Sequence, residues 1–183
     1  PSIERAQVLR VAEDILFYGQ RGCLSSQAIF IRSTIQEAEF WMEGFTQAFR
    51  ELIAQTDGVL AQSMVLWKAL ERLHLSGIEY QGVHERFGAV VRADEFEPRA
   101  LLGAGIVQMI VVSERDVFFK QISPFSKILQ GLAVSCDEAA QNELEREAFA
   151  HGFTWVAPIG SLQAPPLDWA NDGIRFPEAL LTR

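Results

Sequence analysis

The chain has 183 residues, of which 49% are hydrophobic and 22% charged, and this fits one soluble globular domain with a buried core. Its formal net charge of −8, with Lys68, Lys120 and Lys127 as the only lysines, excludes a nucleic-acid surface, which needs clustered positive charge. No apolar run approaches the roughly 18 residues of a membrane helix, and the N-terminus carries no signal-peptide apolar region.

Val8, Val11, Ala12, Ile15 and Leu16 recur at helical spacing and predict an amphipathic helix over 3–17 that ends near Gly19. A polar stretch follows, Gly19-Gln20-Arg21-Gly22-Cys23-Leu24-Ser25-Ser26-Gln27, and then a short buried strand over 28–32. Two glycines permit a sharp turn and a close approach at Cys23. Ser33 and Thr34 each stand three residues before Gln36 and Glu37, so either can open the next helix with a capping box. That helix carries Phe40, Trp41, Phe45, Ala48, Phe49 and Leu52 on one side and stops at Asp57-Gly58. Leu60, Met64, Trp67 and Leu70 mark a further helix, closed by Ser76-Gly77; both apolar stripes read as core.

From residue 87 the period changes. Phe87 to Val91 and Ile106 to Val112 predict strands separated by the polar, Pro98-containing stretch 92–100. A short helical turn begins at Ser113, Pro124 restarts the chain, and Ile128 to Val134 is another apolar run. Ser135 and Glu138 read as a capping box for a helix to about Ala150, ended by Gly152, with a strand over 153–159 beyond it. The tail from Gly160 to Trp169 is too rich in proline for regular structure. Strands interleaved with helices predict an α/β domain, layered around a largely parallel sheet.

Few chemical motifs survive inspection. Gly103-Ala104-Gly105 resembles the opening of a dinucleotide fingerprint but leads into a strand, where no helix N-terminus faces a pyrophosphate. His74, His84 and His151 form no metal-ligand spacing with Cys23 and Cys136, so no metal is expected, and two cysteines fit a reducing cytosol. Glu13 with Asp14, and Glu143 with Glu145 and Glu147, read as solvated helix faces. Cys23 remains, either as a nucleophile activated by a lowered pKa, with Arg21 nearby, or as a small buried core residue.

The stretch Ala12-Glu13-Asp14, then Tyr18-Gly19-Gln20-Arg21-Gly22-Cys23-Leu24-Ser25-Ser26-Gln27 and Ala28-Ile29-Phe30-Ile31, resembles the nucleophile segment of LuxC-like long-chain acyl-CoA reductases. More distantly, Gly19-Gln20 ahead of Cys23 is similar to the corresponding segment of the aldehyde dehydrogenase superfamily. Gly152 to Gly173, with Pro158-Ile159-Gly160-Ser161-Leu162-Gln163-Ala164-Pro165-Pro166 at its centre, resembles the closing motif of the same reductases. There Leu162 stands for the usual Met, Trp155 for a frequent Arg, and Ala170-Asn171 for a common His pair. Ser123 to Gln130 fits more loosely, so the resemblance runs along nearly the whole chain.

The resemblance implies a three-layer catalytic domain of the aldehyde dehydrogenase type over 1–183, with Cys23 as the acylated cysteine. It implies reduction of a long-chain fatty acyl-CoA to the aldehyde by NADPH through a cysteine acyl-enzyme, in a cytoplasmic homo-oligomer. Acyl-transferase and acyl-protein synthetase subunits are the partners it suggests, in relatives tied to bioluminescence. Cys23 lies too near Pro1 to leave room for the nicotinamide-binding half, which is expected upstream. An oxidative aldehyde dehydrogenase and a non-catalytic domain with a buried cysteine are the competing readings.

Overall fold

The computed structural model describes residues 4–20, 22–55, 64–84, 87–98, 105–171 and 174–175. The first helix, α1 (Arg5–Leu16), is amphipathic as its spacing predicts and buries Val8, Ala12 and Ile15. Strand β1 (Ala28–Arg32) follows the cysteine turn. Thr34 and Glu37 form the expected capping box, and a short 3-10 turn leads into α2 (Ala38–Gln55). Phe45, Ala48 and Phe49 are buried on α2, but Phe40 is 43% exposed, off the apolar stripe. Asp57, Gly58 and Leu60, expected to stop one helix and open the next, lie outside the described residues. The next helix, α3 (Met64–Leu75), buries Leu66 and Leu73 and ends at Ser76-Gly77 as predicted.

Strand β2 (Tyr80–His84) has no counterpart among the predicted elements. Its apolar residues are interrupted by Gln81 and Gly82, which blur the period of a strand. It runs antiparallel to β3 (Phe87–Ala93), and β3 runs parallel to β4 (Ile106–Val112), which runs parallel to β1. The order is therefore β1-β4-β3-β2, a mostly parallel sheet with one antiparallel edge. Arg50 of α2 covers that edge, donating to the carbonyls of Gly82 at 2.6 Å and Val83 at 3.2 Å, so the outer strand offers less free backbone to another chain.

β4 lies inside the sheet, and six of its seven residues are buried, as expected of a strand covered on both faces; Gln108 is its one polar residue, and its side-chain amide donates to Glu97 O at 2.7 Å. Alternation sorts the strands' side chains between two cores. Ile29, Ile31, Val90, Val107 and Met109 pack beneath α1 and α2. Ile110 and Val112 face Phe118, Phe119 and Ile122 of α4 (Arg115–Ile122), and α3 closes the sheet's other end over Ala89, Val91 and Ile106. The sheet is thus sandwiched between helices, the three-layer arrangement predicted.

A second parallel pair, β5 (Gly131–Val134) and β6 (Trp155–Pro158), brackets α5 (Glu138–Ala150). The helix cap differs from expectation. Asp137, not Ser135, is the N-cap, its carboxylate accepting from Ala140 N at 2.8 Å, so Ser135 and Cys136 lie outside the helix. The short antiparallel pair β7 (Ala170–Asn171) and β8 (Ile174–Arg175) follows a tail predicted to be irregular up to Trp169. Among the described residues no helix is long and apolar enough to cross a membrane.

Candidate functional site

The cysteine turn is built from its flanks inward. After α1 ends, Tyr18, Gly19 and Gln20 are all left-handed, with φ of 56°, 59° and 59°. For Tyr18 and Gln20 that conformation costs roughly 1 kcal/mol each, so something must hold it. The Gln20 side chain supplies the anchor. It is 2% exposed, and its amide donates to the carbonyls of Ser26 and of Ile106 at the head of β4, both at 3.0 Å. The kink is thereby tied to the sheet. Phe17 and Tyr18 meet edge to face at 4.7 Å, and both remain more than half exposed.

Gly22 and Ser25 close the turn reciprocally. Ser25 N donates to Gly22 O at 3.0 Å, and Gly22 N donates to Ser25 Oγ at 3.0 Å. Ser25 is buried, and Gln27 adds a bond from its amide to Ser25 O at 3.3 Å. Gln108 N of β4 in turn donates to Gln27 O at 3.1 Å. Space at Gly22 is tight: a Cβ there would sit 3.2 Å from both Ser25 Oγ and the Tyr18 ring. Leu24 is buried and points inward, whereas Cys23, its neighbour on the turn, is exposed. The competing reading of Cys23 as a buried core residue therefore fails.

This arrangement presents a thiol to solvent on a backbone that is pinned on both sides. The amides of Cys23 and Leu24 have no acceptor among the described residues. Such free N–H groups beside a nucleophile suit a developing oxyanion. Arg21 lies outside the described residues.

The closing motif, 140 residues away, converges on the same place. Asp14, expected on a solvated helix face, is 3% exposed, while Glu13 beside it is exposed. Asp14 Oδ2 accepts from Gly160 N at 2.6 Å and Oδ1 from Leu162 N at 3.0 Å. Gln163 donates its side-chain amide to Asp14 O at 2.9 Å. Burial pushes the Asp14 carboxyl above its ordinary range, the two backbone N–H groups pull it back, and Glu13 adds a smaller upward push. Local sequence carries one clue to this contact: an acid next to Ile15, at the end of an apolar stripe, has a neighbour that turns inward.

The remaining candidates have structural settings. Glu143 and Glu147 pair with Arg115 on the surface, at 2.9 Å and 3.2 Å. His151 stacks on Phe119 at 4.6 Å between ring centres and lies 3.0 Å from Ser123 Oγ through Nδ1. Among the described residues no group of three His, Cys, Asp or Glu side chains is placed to hold a metal ion. Cys136 is exposed beside Asp137; burial raises its pKa, and the Asp137 charge raises it further.

Four of the described helix starts, those of α1, α2, α4 and α5, do not suit a dinucleotide's pyrophosphate. Gly105, with φ of 71°, leads directly into β4, and Gly103 and Ala104 lie outside the described residues. Acids stand at four of the helix starts: Glu4 at α1, Glu37 and Glu39 at α2, Glu114 and Asp116 at α4, Asp137 at α5; the first turn of α3 carries none. Those charges repel a pyrophosphate where backbone N–H groups would otherwise attract it.

The fold is similar to that of an oxidoreductase from Marinobacter aquaeolei, with a TM-score of 0.58 and 14% identity. The similarity covers 88% of this chain and 38% of that one, so the chain spans well under half of its structural relative. Among curated proteins no sequence matches. The family model described as acyl-CoA reductase (LuxC) matches residues 3–183. That match takes in the cysteine turn and the Asp14-bound loop alike, and the chain belongs to the acyl-CoA reductase (LuxC) family.

Proposed function

We propose that Cys23 is the nucleophile of an acyl-CoA reductase whose acyl-enzyme forms on this chain. The supporting observation is the exposed thiol on a turn fixed by Gly22, Ser25 and Gln20, within a chain of this family. The Cys23 thiolate adds to the thioester carbonyl of a fatty acyl-CoA and forms a new C–S bond. The electron pair moves onto oxygen, where the amides of Cys23 and Leu24 stand as donors. Collapse of the oxyanion breaks the old C–S bond, and CoA leaves as thiolate and takes up a proton. A covalent acyl-enzyme divides one difficult displacement into two easier steps.

Conversion of the acyl group to aldehyde requires a nicotinamide cofactor. We assign its binding chiefly to residues other than those described, as the resemblance implies, and the acids at the starts of α1, α2, α4 and α5 agree with that. A long-chain acyl substrate, NADPH as the reductant, a cytoplasmic location, homo-oligomers, and association with acyl-transferase and synthetase subunits belong to the same proposal. They follow from the sequence resemblance.

Intact mass after incubation with a long-chain acyl-CoA tests the acylation step. One acyl adduct is expected on the unaltered protein and on Cys136→Ala, and none on Cys23→Ala. An adduct that persists in Cys23→Ala sinks the assignment.

A further inference from the structure

Asp14 is the only charged side chain among the described residues that is buried, and both of its carboxylate oxygens are taken by backbone amides of one loop. A buried carboxylate is costly without such donors. The contact joins the last turn of α1 to a segment 146 to 149 residues further along the chain. Gly160 is left-handed at φ of 83°, and a Cβ there would lie 3.1 Å from Arg10 Cβ and Cγ, so the loop is pressed close to α1.

The same loop reaches the cysteine turn. With its Nε2 committed to Asp14 O, the Gln163 amide turns its oxygen toward Gly22, 3.5 Å from where a Cβ on that residue would sit. Leu162 and Leu24 both lie over Gly131: a Cβ on that glycine would be 2.9 Å from Leu162 Cδ1 and 2.8 Å from Leu24 Cδ2. Trp155 Nε1 donates to Leu162 O at 3.1 Å and holds the loop from the β6 side. Gly22 and Leu24 flank Cys23 in sequence, so the loop lies close to both neighbours of the thiol.

We propose that Asp14 is a positioning residue: by binding Gly160 and Leu162 it holds Gln163 and Leu162 against the Cys23 turn and fixes the direction in which the thiol projects. The idea rests on the acyl-enzyme reading for its catalytic consequence, but not for its mechanical content. An exposed thiol on a short turn has only the turn's own bonds to restrain it. Attack on a carbonyl needs the sulfur within about 3–3.5 Å and correctly aligned, and a misplacement of about 1 Å can cost on the order of a hundredfold in rate. A buried clamp beneath the turn supplies the missing restraint.

The test uses the full-length protein with Asp14→Asn and Gln163→Met, each studied below its melting temperature. Asn keeps the shape of Asp14 but turns one acceptor into a donor, so one of the two loop amides loses its partner. Met removes the Gln163 amide at a partly exposed position and leaves Asp14's two bonds to the loop in place. Two readouts are taken: single-turnover acylation by a long-chain acyl-CoA, and amide hydrogen exchange across residues 22–27. In both variants the maximal acylation rate is expected to fall, by about tenfold or more for Asp14→Asn, with the half-saturating acyl-CoA concentration unchanged. Exchange at the Ser25 amide is expected to quicken.

A folded Asp14→Asn protein that acylates at the unaltered maximal rate, or whose loss lies only in half-saturation, overturns the proposal. If the unaltered protein takes up no acyl group at all, the acyl-enzyme reading falls and the exchange arm decides alone. Faster exchange at Ser25 in the variants then upholds the clamp, and unchanged exchange across 22–27 removes it.

Discussion

Cys23 and Cys136 are both exposed, both precede a buried or capping neighbour, and both stand in turns between a helix and a strand. Their surroundings nevertheless differ in kind. The Cys23 turn is held by a reciprocal Gly22–Ser25 pair, by Gln20 reaching into β4, and by a loop from the far end of the chain. The Cys136 turn serves the helix that follows, since Asp137 spends its carboxylate on the first turn of α5 and lays a negative charge beside the thiol. Exposure alone does not make a reactive thiol. A carboxylate next to Cys136 opposes the thiolate that reactivity requires, whereas the turn that carries Cys23 is closed, among the described residues, by bonds between backbone groups and the neutral side chains of Gln20, Ser25 and Gln27.

The contrast can be broken most severely by removing each sulfur in turn. Cys23→Ala should abolish acyl transfer from acyl-CoA, and Cys136→Ala should leave it at the level of the unaltered protein. Intact mass reads both, and equal loss in the two variants would erase the distinction. Next in size is Gly22→Ala, whose added methyl meets Ser25 Oγ and the Tyr18 ring at 3.2 Å. The Ser25 hydroxyl and the Tyr18 ring must give by a few tenths of an ångström to admit it, which disturbs the bond that closes the turn, and acylation should slow by about tenfold; an unaltered single-turnover rate would mean that the turn's position is not critical.

Ser25→Ala is a milder probe. It leaves the Gly22 amide without its side-chain acceptor and should lower stability by about 1–2 kcal/mol, measured by urea denaturation. Smallest is Asp137→Asn, which retains a capping oxygen but removes the charge beside Cys136. Because that charge raises the thiol's pKa, its removal increases the thiolate fraction at a given pH. The alkylation profile of Cys136, measured in a Cys23→Ala background, should therefore move to lower pH with stability almost unchanged. A shift to higher pH would contradict the assigned sign.

Much of this contrast is legible in the residues alone. The family resemblance singles out Cys23, the helix and strand beside it fall where periodicity places them, and the glycines announce a turn. Asp14 is the exception. Helical spacing identifies the stripe facing the main core, but it says nothing of a loop arriving at the helix end from residue 160, so the acid reads as part of a solvated face. The α5 cap lies two residues beyond its predicted position for a related reason. Ser135 and Asp137 are both competent caps in sequence, and the path of the chain out of β5 decides which one meets Ala140 N.

By itself the sequence determined the elements whose signal is local: α1 by its apolar stripe, β1 and β4 by short β-branched runs, α2 by its capping box. It also determined the order of the two motifs that mark the family. Tertiary structure alone decided that β2 completes the sheet as its antiparallel edge, that Gln20 anchors in β4, and that the Gly160–Gln163 loop seats on Asp14 beneath the cysteine turn. These contacts join residues as far as 149 positions apart. No local period encodes such a pairing, because it depends on distant segments packing together so that a buried carboxylate has backbone amides as its partners.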